Sequence, residues 1–209
     1  MSLCEIYAMS TSRIDETKAF VPIRIAVMTV SDTRTREDDT SGDTLVERLT
    51  AAGHVLADRA LLRDDTTNIR EQLKAWIARS DVDAVITTGG TGLTGRDVTV
   101  EAMRPLFEKE IDGFSALFHQ ISFEKVGTST IQSRACAGLA AGTFLFALPG
   151  STGAVKDAWD GILKWQLDAR HRRLGTGRRI GRPWALPSTR TSRGPSIRPE
   201  RIRPPRRRP

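Results

Sequence analysis

Residues 83–99 read Asp83-Ala84-Val85-Ile86-Thr87-Thr88-Gly89-Gly90-Thr91-Gly92-Leu93-Thr94-Gly95-Arg96-Asp97-Val98-Thr99. The apolar run at its start reads as a buried strand, and the strand breaks into glycines and small hydroxyls. Such a turn leaves several backbone N–H groups free in one place, which suits a phosphate. Asp97 then sets an acid beside an anion site. Carboxylate and phosphate repel unless a cation lies between them, so the pairing points to Mg²⁺ and a phosphorylated substrate. No Gly-Lys-Ser/Thr follows Gly92, so this is not a P-loop. Gly90, Gly92 and Gly95 match the G-x-G-x-x-G dinucleotide spacing only loosely: that fingerprint belongs to the first strand–helix turn, and here two strand–helix units come first.

Working outward, residues 23–31 read as the first strand, followed by a polar loop over 32–40. Ser41 is expected to cap a helix with Asp43 in its first turn; Leu45, Val46, Leu49 and Ala52 follow at helical spacing, and Gly53 ends it. Residues 55–62 read as a second strand and 67–79 as a helix. The third strand, 82–87, delivers the glycine turn. A helical stretch is expected over 100–125, broken near 111–113, with short extended segments at 133–138 and 143–148. Ser151 is expected to cap a last helix reaching about residue 170. Strands and helices alternating in this way imply right-handed crossovers and a three-layer α/β/α sandwich around a mostly parallel sheet.

In such sheets, ligands bind beyond the carboxyl ends of the strands. Four of those ends carry reactive-looking residues: Ser31-Asp32, Asp64-Asp65, the turn Gly89-Gly90-Thr91-Gly92 with Asp97, and Pro149-Gly150-Ser151. A helix cap explains Asp64 or Ser151 singly, but not the glycine turn or Asp97. Of the three histidines, His54 sits at a helix end, His119 in a helical stretch and His171 at the edge of the tail. With two scattered cysteines they form no zinc pattern. Trp76, Trp159 and Trp165 fall at core spacing.

Composition sets the boundaries. The chain has 209 residues and 39% hydrophobic content, enough for one sizeable domain plus appendages. No apolar run could span a membrane, and residues 1–20 have no signal-peptide core. Cys4 and Cys136 are far apart, so no structural disulfide is expected and the cytoplasm is the natural compartment. From Arg172 on, the tail's 13 Arg against one Glu carry +12, which leaves −5 for residues 1–171 of the chain's +7. The tail also holds 7 of the 10 prolines. We therefore divide the chain into an arm (1–21), a domain (22–171) and a tail (172–209) expected to be disordered. Arg without Lys, and Pro and Gly without pattern, fit a GC-rich gene read in a shifted frame better than a selected sequence. Nucleic acid is expected as a partner only through that tail.

Five segments in order resemble the MoaB/MogA molybdopterin-binding family of molybdenum cofactor biosynthesis. They are Ala26-Val27-Met28-Thr29-Val30-Ser31-Asp32, Asp39-Thr40-Ser41-Gly42-Asp43, residues 87–99, Ser129-Thr130-Ile131-Gln132-Ser133-Arg134 and Ala147-Leu148-Pro149-Gly150-Ser151. Residues 113–127 and 166–171 look closest to the MoaB branch. The resemblance implies a homotrimer or homohexamer, molybdopterin as substrate, and other cofactor-biosynthesis proteins as partners. In its adenylyltransferase branch, ATP and Mg²⁺ convert molybdopterin to adenylyl-molybdopterin and pyrophosphate. The two acids essential there carry over to Asp97 and, by spacing, to Asp64, with Asp65 as the alternative. Ser31, Gly89, Gly90, Thr91, Gly92, Ser133, Pro149, Gly150 and Ser151 fall at substrate-binding positions, and Asp97 at the metal. Some members keep the fold without the activity, so a non-catalytic molybdopterin-binding or assembly protein is the alternative. The family pattern stops after Arg172.

Overall fold

The computed structural model describes residues 14–171; the proposed tail, Cys4 and most of the N-terminal arm lie outside that range. Six strands form one sheet in the order β2-β1-β3-β6-β5-β4. They are β1 (Arg24–Val30), β2 (Val55–Leu62), β3 (Ala84–Thr88), β4 (Lys109–Glu110), β5 (Cys136–Ala140) and β6 (Thr143–Leu148). The first four in that spatial order run parallel; β5 is antiparallel to β6, and β4 to β5. The expected three layers follow from side-chain alternation in β1. Ile25 and Val27 join a core with α1 (Thr40–Ala51), α4 (Asp112–Val126) and α5 (Thr152–Ala158). Ala26 and Met28 join the opposite core with α2 (Thr66–Ile77) and the short α3 (Thr99–Met103). Among the described residues no helix is long and apolar enough to cross a membrane.

Several boundaries differ from those expected. Asp39, not Ser41, caps α1: its carboxylate accepts from Gly42 N at 2.9 Å, while Ser41 lies buried inside the first turn. Asp39 is fixed there by Arg59 Nη2 at 2.7 Å and by the Thr29 hydroxyl at 2.7 Å. Asp65 caps α2, which starts one residue early, and β3 reaches Thr88. The helical stretch expected over 100–125 does break, but over 104–111 and so earlier than the expected 111–113. There a 3₁₀ turn at Arg104–Leu106 leads into the edge strand β4, which pairs Lys109 with Leu139 and Glu110 with Gly138. The last helix is likewise shorter: α5 passes into a π-helical turn at Trp159–Leu163 and a final turn, α6 (Lys164–Gln166). Ser151 does cap α5, accepting from Ala154 N at 3.1 Å. Trp76 and Trp159 are buried, and Trp165 is half-buried.

Candidate functional site

Parallel pairing of β1, β3 and β6 brings their carboxyl ends side by side, and a cleft of about 520 Å³ opens there. The turn after β3 forms its floor. Gly89 takes φ +99°, and a Cβ on it would stand 2.1 Å from the carbonyl oxygen of Val30. Gly90 takes φ +62°, and a Cβ there would meet Thr99 Oγ1 at 2.4 Å and Asp64 Oδ1 at 2.5 Å. Only glycine fits both the left-handed backbone and the space. The carbonyls of this turn are tied inward: Gly89 O accepts from Thr99 Oγ1 at 2.8 Å and Gly90 O from Thr99 N at 2.9 Å. Among the described residues, no acceptor meets the N–H groups of Gly90 and Thr91. They are the amides a phosphate oxygen can take.

Asp64 comes from the end of β2 and Asp97 from beyond the glycine turn; both line the cleft, with Asp32 beside them. Asp65 caps α2, its carboxylate accepting from Asn68 N at 2.7 Å, while Asp64 lines the cleft. Asp64 Oδ1 is buried and has no hydrogen-bond partner. Burial, and then the charges of Asp32 and Asp97, push its pKa above the ordinary carboxylate value. Asp97 is displaced the other way. Burial works against its charge, but bonds from the Thr94 hydroxyl and the amides of Thr94 and Gly92 hold it below the usual range. A desolvated acid beside a hydrogen-bonded one in a cleft marks a candidate site.

Ser31, Gly89, Gly90, Thr91, Gly92, Ser133, Pro149 and Gly150 all line the same cleft. Ser151 does not: its hydroxyl turns to α5, and it lines an adjoining groove of about 900 Å³. Ser133 lines both spaces, and its carbonyl accepts from His119 Nε2 at 2.7 Å, so that histidine braces the wall. His54 is buried elsewhere, against Phe20 and Trp159. Two contributors were given no site role from the sequence, although Arg134 closes the 129–134 segment. Arg34 lines the cleft and ties Gly150 O, at 2.9 Å, to the start of α1 through Ser41. Arg134 stands behind the glycine turn with its Nε on Thr91 O at 2.9 Å. Both are long side chains reaching distant backbone carbonyls, which leaves no local pattern to read.

Known proteins resemble this chain in sequence and in fold. The model of a probable molybdopterin binding domain matches residues 26–169. The chain belongs to this molybdopterin-binding family. Molybdenum cofactor biosynthesis protein B of Escherichia coli strain K12 is 52% identical over 153 residues, spanning 73% of this chain and 90% of that one. The protein of the same name from Staphylococcus carnosus is 48% identical over 149 residues, 70% and 87% of the two chains. A crystal structure of molybdenum cofactor biosynthesis protein B superposes with a TM-score of 0.70 at 42% identity, covering 72% of this chain and 94% of that one. The tungsten cofactor synthesizing protein MoaB from Pyrococcus furiosus gives 0.63 at 36% identity, over 68% and 91%. The family match begins in β1 and ends just past α6, so it encloses every residue of the cleft.

Proposed function

We propose that this protein binds molybdopterin and adenylylates it with Mg-ATP. The observation that carries the reading is the half-buried Asp64 carboxylate, whose Oδ1 is buried without a partner beside the glycine turn, with Asp97 lining the same cleft. An orphaned carboxylate beside free amides suits a cation-bridged phosphate. Among the described residues, no three His, Cys, Asp or Glu side chains stand close enough to hold a metal by themselves. Mg²⁺ usually takes one or two carboxylates and completes its shell with water and substrate phosphates. Asp97 and Asp64 would hold it, and it would neutralise charge on the triphosphate.

In this reaction an oxygen of the molybdopterin phosphate attacks the α-phosphorus of ATP. The bond to the β-phosphate breaks and pyrophosphate leaves. A phosphate monoester is already nucleophilic at neutral pH, so no general base is needed. The chain's task is alignment and charge stabilisation. The Gly90 and Thr91 amides cradle phosphate oxygens, Ser31 and Ser133 offer hydroxyls at the walls, and Arg34 holds the Pro149-Gly150 wall in place. The reading includes a homotrimer or homohexamer acting in the cytoplasm with other proteins of cofactor biosynthesis. The exposed side chains of Phe123, Val126 and Ile131, at the end of α4 and in the turn after it, support a subunit contact.

The test is to incubate the chain with ATP, Mg²⁺ and molybdopterin, follow pyrophosphate, and identify adenylyl-molybdopterin by mass. Binding of molybdopterin without pyrophosphate would instead make the protein a carrier in the same pathway.

A further inference from the structure

The loop that places Asp97 has little packing of its own. Leu93 is 67% exposed, and residues 94–96 are exposed with it. Inside the loop the bonds are local: Thr94 N donates to Asp97 Oδ2 at 3.0 Å, and Asp97 N donates to Thr94 O at 3.1 Å. These fold the tip on itself but do not fix it to the sheet. Beyond the exposed Arg96–Asp32 ion pair at 3.6 Å, the loop is tied down through one side chain. Arg134 Nε donates to Thr91 O at 2.9 Å, where the loop begins, and its Nη2 donates to Asp97 O at 3.1 Å, where the loop ends. The Arg134 backbone N–H adds a second bond to Thr91 O at 3.3 Å. Glu101 of α3 then takes both terminal nitrogens of the same guanidinium.

We propose that Arg134 is a positioning residue, whose planar fork closes the 91–97 loop and sets Asp97 against Asp64 and the Gly90 amide. This rests on the adenylyltransferase reading of the cleft. Four of the five guanidinium N–H groups are engaged by Thr91, Asp97 and Glu101, and Arg134 does not line the cleft; it acts through the loop. The geometry also says why the residue is arginine. Two carbonyls at opposite ends of a loop need two donors held in one plane at fixed separation. Lysine offers a compact point charge that can satisfy one of them. Glu101 prevents the fork from rotating out of that plane.

The experiment compares Arg134→Lys, Arg134→Gln and Glu101→Gln in the full chain, by amide hydrogen exchange and by pyrophosphate release. In both Arg134 variants, exchange at residues 91–97 should speed up about tenfold, while the sheet amides of 84–88 stay protected. Turnover should fall about 100-fold, with KM for ATP changed by less than about fivefold, because misalignment is felt mainly in the transition state. Glu101→Gln keeps both carbonyl bonds and should show the same pattern more weakly; it also serves if the Arg134 variants fail to fold. Full activity and wild-type exchange in Arg134→Lys would overturn the proposal, since charge alone would then suffice. If the wild-type chain releases no pyrophosphate, the transferase reading fails. Arg134 is then judged by exchange alone: faster exchange in the loop over a quiet sheet supports the positioning role, and unchanged exchange refutes it.

Discussion

Replacing Asp64 by Asn should make the protein more stable and less active at once. Asp64 Oδ1 is buried without a partner, and burial together with Asp32 and Asp97 raises its pKa. A raised carboxylate helps the fold only in acid. That contribution is lost as pH climbs from the ordinary value of 3.8 through the folded one, because the unfolded chain gives up its proton first. At neutral pH the group is therefore a liability. Leaving a buried polar atom unsatisfied costs about 1–3 kcal/mol, more when it is charged. Asn keeps the polar atoms and removes the charge, so we expect a gain of about 1 kcal/mol, or about 2–4 °C in Tm for a domain of this size. The gain should shrink to nothing below about pH 3, where both forms are neutral. Millimolar Mg²⁺ should raise the Tm of the wild type and leave that of the variant unmoved. Pyrophosphate release should drop about 100-fold or more, the scale of removing one electrostatic contact from a transition state. Thermal melts over a pH series, with and without Mg²⁺, decide the matter. A variant that melts lower at pH 7 and still turns over would refute both the strain assigned to Asp64 and its place in the reaction.

Asp97→Asn should fold normally and bind molybdopterin, yet lose adenylylation by about 100-fold, because an amide can still accept from Thr94 but cannot neutralise a cation; turnover near the wild-type rate would remove Asp97 from the mechanism. Gly90→Val places a branched side chain at φ +62° and 2.4 Å from Thr99 Oγ1, which should cost about 2–4 kcal/mol and weaken molybdopterin binding in whatever protein folds, as calorimetry would show. Stability should also fall in mild acid through His54. Burial lowers its pKa, with Asp168 partly opposing, and its Nδ1 accepts from Ile23 N. The folded ring is neutral, so its contribution is present above the ordinary value of 6.5 and is lost as pH falls below it, by up to about 1.4 kcal/mol per pH unit. His54→Gln should flatten the melting curve between pH 6.5 and 5, and an unchanged slope would count against this.

Much of the fold was legible because its central strands are buried on both faces. Residues 23–31 and 82–87 are largely apolar runs, which a parallel sheet requires and an exposed helix would not. Their boundaries moved by only a residue or two. The edge strand β4 was illegible for the opposite reason. Lys109 and Glu110 are exposed and charged, and pairing with Leu139 and Gly138 makes them extended, not any propensity of their own. The cap of α1 was misread because Asp39 and Ser41 are equally good cap formers in isolation. The decision lies with Thr29 and Arg59, which reach Asp39 from 10 and 20 residues away in sequence. Ser151 was legible as a cap, and being a cap is what turns its hydroxyl away from the cleft.

The cleft residues divide by the same physics. Those that need a special backbone announced themselves: glycines at positive φ have no substitute, so a run of them after a strand is visible in one line of sequence. Those that hold that backbone in place did not. Gly89 and Gly90 hold a backbone that any other residue would find strained, and the loop beyond them is exposed, so the chain must brace the cleft from outside. It does so with Thr99 under the turn, Arg134 across the loop and Arg34 against Gly150. Each brace donates to a backbone carbonyl, and such bonds depend on where the chain passes and not on which residue is there. A site whose reacting groups are few and whose braces are many is what phosphoryl transfer asks of a protein: the nucleophile and leaving group come with the substrates, and alignment is left to the fold.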